Sequence, residues 1–190
     1  GSAFLGYHYS RLIPLIIAYT SAALCLALPF LFHFILPLIN IKAVWDVTAF
    51  SLKPFAHRLY IWEFITKNIQ EKLLLGWGAA TSKGFPTQNL VVFDGSSVLP
   101  SHPHNYIMQV WLEMGLVGAV ILATLHFMIF RAISKIKSPL LTAWILFFSL
   151  ISFVILSLSH SLWHKWWITW LGAMAILVIT VFKQHKKNTP

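Results

Sequence analysis

Within the stretch HPHNYIMQVWLE, residues 102–113, four side chains stand out as placed to move protons or grip hydroxyl groups: His104, Asn105, Gln109 and Glu113. Asn105, Gln109 and Glu113 are spaced i, i+4, i+8, so on a helix they form one polar stripe. Asn105 is a good N-cap, and the helix it starts runs on through Tyr106 into an apolar stretch. His104 stands just outside that helix, at the positive end of its dipole. There the imidazolium is disfavoured and the ring stays neutral near pH 7, as a general base requires. Amide and carboxyl groups are costly in a membrane helix and face a cavity or a partner. The stripe is therefore expected to line a pocket that opens to the external side.

Plainer roles exist for each residue. Asn105 serves equally as a cap alone, and Gln109 and Glu113 as bonds to neighbouring membrane helices. His102 reads as a loop residue and Arg58 as an interfacial side chain that snorkels. His33, His126 and His160 are scattered without ligand spacing, so no metal site is expected.

The composition decides what must hold these residues. Of 190 residues 58% are apolar and 10% charged, with mean hydropathy +0.74, more than a soluble core needs. The formal charge of +9 comes from a few cationic clusters without a basic, aromatic-laced stripe, which excludes a nucleic-acid binder. Four segments approach the roughly 20 apolar residues of a bilayer crossing: 12–39, 105–131, 140–160 and 166–182. The first is too long for the core of a signal peptide and is expected to stay in the membrane. Cys25 lies alone in it and reads as a small buried hydrophobe. Gly1-Ser2 in place of Met reads as the start of part of a longer chain.

Residues 40–104 carry most of the acids and turn formers and read as one extramembrane loop. Arg131, Lys135 and Lys137, with Lys183, Lys186 and Lys187, mark the cytoplasmic side, which puts the loop and the turn 160–165 on the other. Trp163, Trp166 and Trp167 suit an interfacial belt there. Within the loop, residues 56–74 have helical period, with Trp62, Ile65, Ile69 and Leu73 on one stripe. Arg58 falls on that stripe and so points toward the protein or the lipid surface. The glycines of GWG then permit a tight, close-packed turn, and 86–103 reads as irregular chain draped over the site. The predicted fold is all-α: a polytopic membrane helical bundle with a large external loop containing an amphipathic helix.

Taken together, Arg58 with Trp62, LLLGWG at 73–78 and HPHNYIMQVWLEMGLVG at 102–118 resemble the O-antigen ligase family, with its relatives the O-antigen polymerases and protein O-oligosaccharyltransferases. The resemblance covers residues 54–131 and, by hydropathy alone, the helices that follow. It identifies the chain as the C-terminal half of such a protein in the bacterial inner membrane, with a periplasmic site. Arg11, in YSR at 9–11, resembles the family's Ser-Arg motif; it reaches the external face only if 12–39 forms a hairpin broken near Pro29. The activity implied is transfer of a polysaccharide from undecaprenyl diphosphate to a hydroxyl of lipid A-core, without metal or other cofactor. His104 then acts as base in an inverting displacement. Arg58, with Arg11, holds the diphosphate oxygens, and Trp62, Asn105, Gln109 and Glu113 contact or orient substrate. Three alternatives stay open: a polymerase of the same superfamily, a protein O-oligosaccharyltransferase, and a non-catalytic membrane subunit or fragment.

Overall fold

The structure, a computed structural model, describes residues 2–47, 53–87, 90–99 and 101–158, with side chains from residue 11 onward, and the isolated positions 161, 163–165, 169, 172, 173, 176 and 180. Five helices are described: α1 (Ser2–Ile35), α2 (Ile41–Val47), α3 (Lys53–Glu71), α4 (Tyr106–Ile133) and α5 (Pro139–Leu158). No strand occurs among the described residues; an isolated antiparallel bridge joins Val91 to Ser97. Among the described residues, three stretches are long and apolar enough to cross a membrane: Arg11–Leu38, Tyr106–Ile133 and Pro139–Leu158. The predicted membrane helix 166–182 lies, apart from isolated positions, outside the described residues.

Helix α1 does not turn back at Pro29. Pro14 and Pro29 both lie inside one continuous helix, which removes the hairpin reading of 12–39. Pro29 has no N–H to give the Cys25 carbonyl four residues earlier. The Trp111 indole N–H supplies the missing donor, at 2.8 Å from Cys25 O. A helix in lipid tolerates proline where a neighbour re-satisfies the freed carbonyl. Cys25 is itself fully buried with a free thiol.

After α1, a 3-10 turn Leu36–Leu38 containing Pro37 leads into Asn40, whose side chain accepts from Ala43 N at 3.0 Å and opens α2. Helix α3 forms as its periodicity predicts, with both bounds three residues earlier in the chain. It buries Ala56, Leu59, Trp62, Ile65 and Ile69 on one face. The segment 90–99 is held by its own contacts. Asp94 accepts from the Ser96 hydroxyl and amide, which keeps its carboxyl below the usual carboxylate range, and Phe93 packs on Trp45 and Tyr60.

Helix α4 departs from the sequence expectation. Gly115 has φ 58° and ψ −152°, outside helical space, and divides α4 into arms 106–114 and 116–133. Tyr106 Oη lies 3.3 Å from His126 Nε2, and their rings stack with centroids 5.9 Å apart. Twenty residues of straight helix would separate them by about 30 Å. The first arm therefore folds back along the second. The second arm runs antiparallel to α1: Tyr19 meets Phe127, and Ala18 shares a cluster with Phe130, Ile133 and Ile136. Phe153 brings α5 against His126 and Tyr106.

Candidate functional site

The reversal at Gly115 is completed from outside the helix. Trp77 N and Gly78 N donate to the carbonyls of Leu112 and Glu113, at 2.8 and 2.9 Å. Leu116 N and Val117 N donate to the carbonyls of Leu73 and Leu74, at 2.8 and 3.2 Å. The segment LLLGWG thus caps the end of one arm and the start of the next with backbone alone. Two glycines make this approach possible. A Cβ on Gly76 would sit 2.5 Å from Glu113 C, and one on Gly115 would sit 2.6 Å from Leu74 O. Both also have positive φ, the conformation glycine adopts without strain.

This geometry re-aims the polar stripe. In a straight helix Glu113 would be its deepest member; in the structure it stands at the reversal, against the loop that follows α3. Asn105 lies at the other end of the arm and caps it, accepting from Met108 N at 3.1 Å. Gln109 and Glu113 are each 1% exposed and bonded to one another at 3.0 Å. Glu113 Oε1 also accepts from the Ser82 hydroxyl, and Oε2 from Ala80 N at 2.9 Å and from the Trp163 indole N–H. Gln109 Nε2 further donates to Ser161 Oγ at 3.1 Å. The expected pocket along Gln109 and Glu113 is thus filled, among the described residues, by the loop after α3 and the side chains of Ser161 and Trp163. Trp163, assigned from sequence to an interfacial belt, points its N–H inward to this carboxylate. Trp166 and Trp167 lie outside the described residues.

Ser82, Ala80, Ser161 and Trp163 carry no signal in the sequence that links them to Glu113, because the fold alone brings them together. Ser161 and Trp163 thus share one network with Ala80 and Ser82 of the loop 40–104.

Of the other predicted residues, Trp62 meets the chain just before α4. The Trp62 indole N–H donates to Pro103 O at 2.9 Å, while Phe32 of α1 stacks on the Trp62 ring, 5.1 Å between centroids. Trp62 thereby ties α3 to the segment of chain that carries both histidines. His104 has φ 53°, a left-handed conformation unusual for a residue with Cβ. Its ring meets that of His102 edge-on at 4.2 Å. Arg58 lies one turn before Trp62 on the same face of α3. Its Nε is buried and makes no hydrogen bond, as is also true of the adjacent His57 Nε2. Buried polar atoms without partners are rare, and each calls for an explanation; His102 Nδ1 and His126 Nδ1 are two others.

Arg11 is not brought to this cluster. It lies 21 positions before Phe32 on the continuous α1, about 30 Å along the helix, at the end where α1 packs on Phe130 and Ile133. Among the described residues no three His, Cys, Asp or Glu side chains group as a metal would need.

Hydropathy, the helical bundle and the polar groups gathered at one end define a multi-pass membrane protein. Its family is that of the O-antigen ligases: the family profile matches residues 1–123, and the chain belongs to it. Two rickettsial proteins provisionally named polysaccharide ligases are similar to it. That of Rickettsia felis is 35% identical over 118 residues, which is 60% of this chain and 29% of the relative. That of Rickettsia bellii is 31% identical over 157 residues, 80% of this chain and 38% of the relative. The aligned chain thus spans well under half the length of either relative. No solved structure matches it significantly.

Proposed function

We propose that this chain forms part of the active site of a membrane glycosyltransferase that moves a polysaccharide from undecaprenyl diphosphate to lipid A-core, on the periplasmic face of the inner membrane. The observation that carries the reading is Arg58. A buried guanidinium nitrogen without an acceptor stands one turn from Trp62, whose hydrogen bond holds the segment bearing His104. Membership of a family of polysaccharide-joining enzymes supports it.

The chemistry follows from the two groups. His104 accepts the proton of the acceptor hydroxyl as its oxygen attacks the anomeric carbon of the glycan. The bond from that carbon to the diphosphate oxygen breaks, the configuration inverts, and the leaving diphosphate keeps the electron pair. Charge growing on the diphosphate is met by Arg58, whose planar fork pairs phosphate oxygens bidentately. Trp62 holds the chain just before His104 through the Pro103 carbonyl, and Asn105 starts the arm behind His104. The apolar flank of the bundle offers the polyprenyl tail a surface in lipid.

Complementation of a ligase-deficient strain with the complete protein tests this. Wild type restores a lipopolysaccharide ladder on a gel, and His104→Ala and Arg58→Ala, expressed equally, do not. Ladders from either variant would overturn the assignment. A wild type that instead lengthens lipid-linked glycans would move the activity to polymerisation.

A further inference from the structure

The Glu113 network is finished geometry, and its shape indicates a task. Four donors converge on one carboxylate that is 1% exposed. They come from three separate parts of the chain: Ala80 and Ser82 after α3, Trp163 after α5, and Gln109 on the same arm. A carboxylate accepts and does not donate, and its two oxygens offer about four sites. All four are taken, which leaves none facing a substrate. We propose that Glu113 is a positioning residue: it clasps the α3–α4 loop and the turn after α5 onto the reversal, and so fixes the short arm at whose start His104 stands. The effect on catalysis rests on the ligase reading above; the clasp itself does not.

Two features of the fold make the clasp consequential. The arm 106–114 is only nine residues long and is anchored at one end by the Gly76–Gly115 contact and at the other by Trp62 on Pro103. Helices this short are marginal by themselves. Their orientation is set by tertiary bonds, and Glu113 supplies three of them from a single side chain, to Ala80, Ser82 and Trp163. Loss of the clasp therefore tilts the arm and moves His104 relative to Arg58. A misplacement of about 1 Å costs up to about 100-fold in rate.

The network also predicts which substitution is harmless. In Glu113→Gln the carboxamide oxygen can keep Ala80 N and Trp163. Its NH2 group then faces the Ser82 hydroxyl, which can rotate to accept, and Gln109, whose amide can turn its oxygen inward. In Glu113→Ala nothing remains to hold either segment. A residue acting through its charge or as an acid or base would instead lose its function equally in both variants.

The test uses the complete protein, purified in detergent, with two readouts. Hydrogen–deuterium exchange followed by mass spectrometry reports the Ala80 amide, which donates directly to the carboxylate. Protection of the peptide spanning 76–84 is expected to fall in Glu113→Ala and in the double variant Ser82→Ala/Trp163→Phe, and to stay in Glu113→Gln. Transfer kinetics are expected to follow: kcat lower by about tenfold or more in the first two variants, KM for the lipid-linked donor within about twofold, and Glu113→Gln close to wild type. Unchanged exchange in Glu113→Ala and in the double variant overturns the clasp whatever the activity. Equal loss of kcat in Glu113→Gln and Glu113→Ala overturns it in favour of a chemical role. If wild-type protein transfers nothing, the ligase reading fails and exchange alone decides the clasp. If Glu113→Ala does not fold, the double variant, which leaves the arm's sequence intact, tests the clasp in its place: lowered protection upholds it and unchanged protection overturns it.

Discussion

At the scale of single residues, one contact repairs a backbone group that the sequence itself leaves unsatisfied. Pro29 strands the Cys25 carbonyl, and Trp111 reaches across from α4 to bind it. Trp111 is 1% exposed and packs edge-on against Phe30, 5.5 Å between centroids. Trp111→Phe keeps most of that packing and leaves a buried carbonyl without a donor, which costs about 1–3 kcal/mol. Alanine at position 29 would restore the N–H that proline lacks. The two changes are therefore coupled. In the Pro29→Ala background, Trp111→Phe is expected to cost about 1 kcal/mol less than in wild type, read as a smaller drop in thermal midpoint in a double-mutant cycle. Equal costs in the two backgrounds would show that the indole contributes by packing alone.

At the scale of elements, the reversal at Gly115 is what the fold turns on. Gly115→Ala and Gly76→Ala each place a Cβ about 2.6 Å or less from backbone atoms that have nowhere to go, at residues with positive φ. Each should therefore remove most of the folded protein recovered from membranes, measured as the monodisperse fraction on size exclusion. Gly84→Ala, with open space around it, serves as the control and should behave as wild type. Recovery of Gly115→Ala at the control level would mean that the arm can re-form without the close approach. The same reversal marks where the sequence stops being informative. Helices α1, α3 and α5 are legible because length, apolar content and period are local properties. The spacing of Asn105, Gln109 and Glu113 is legible too, as one face of a helix. Its direction is not. Gly115 sits in an apolar run whose hydropathy reads as uninterrupted, and the groups that satisfy the break come from Leu73, Leu74, Trp77 and Gly78, remote in sequence. Pro29 misleads in the opposite sense, since it looks like a break until Trp111 is placed beside it. The link between Trp62 and Pro103 is likewise invisible in the sequence, although the motifs on either side of it stand out for their chemistry.

At the scale of the whole molecule, the two ends of the bundle differ in kind. One end gathers the reversal at Gly115, the α3–α4 loop, Ser161 and Trp163, with Trp62 holding the chain that leads to His104. The other carries Arg11, Arg131, Lys135 and Lys137, and the rule that cationic loops are retained inside predicts that this end faces the cytoplasm. A polysaccharide assembled on a lipid carrier and joined outside the cytoplasm can reach only the first end, so the proposed chemistry stands or falls with this orientation. Cysteine labelling in whole cells measures it directly. Cys25 is fully buried and leaves the background silent. Ser101→Cys, exposed beside the histidine segment, is expected to react with a membrane-impermeant maleimide once the outer membrane is opened. Lys135→Cys, exposed between α4 and α5, should react only after the inner membrane is permeabilised. The reverse pattern would put His104 and Arg58 in the cytoplasm, where the proposed transfer has no acceptor, and the glycosyltransferase reading would fall even with every contact at the site intact.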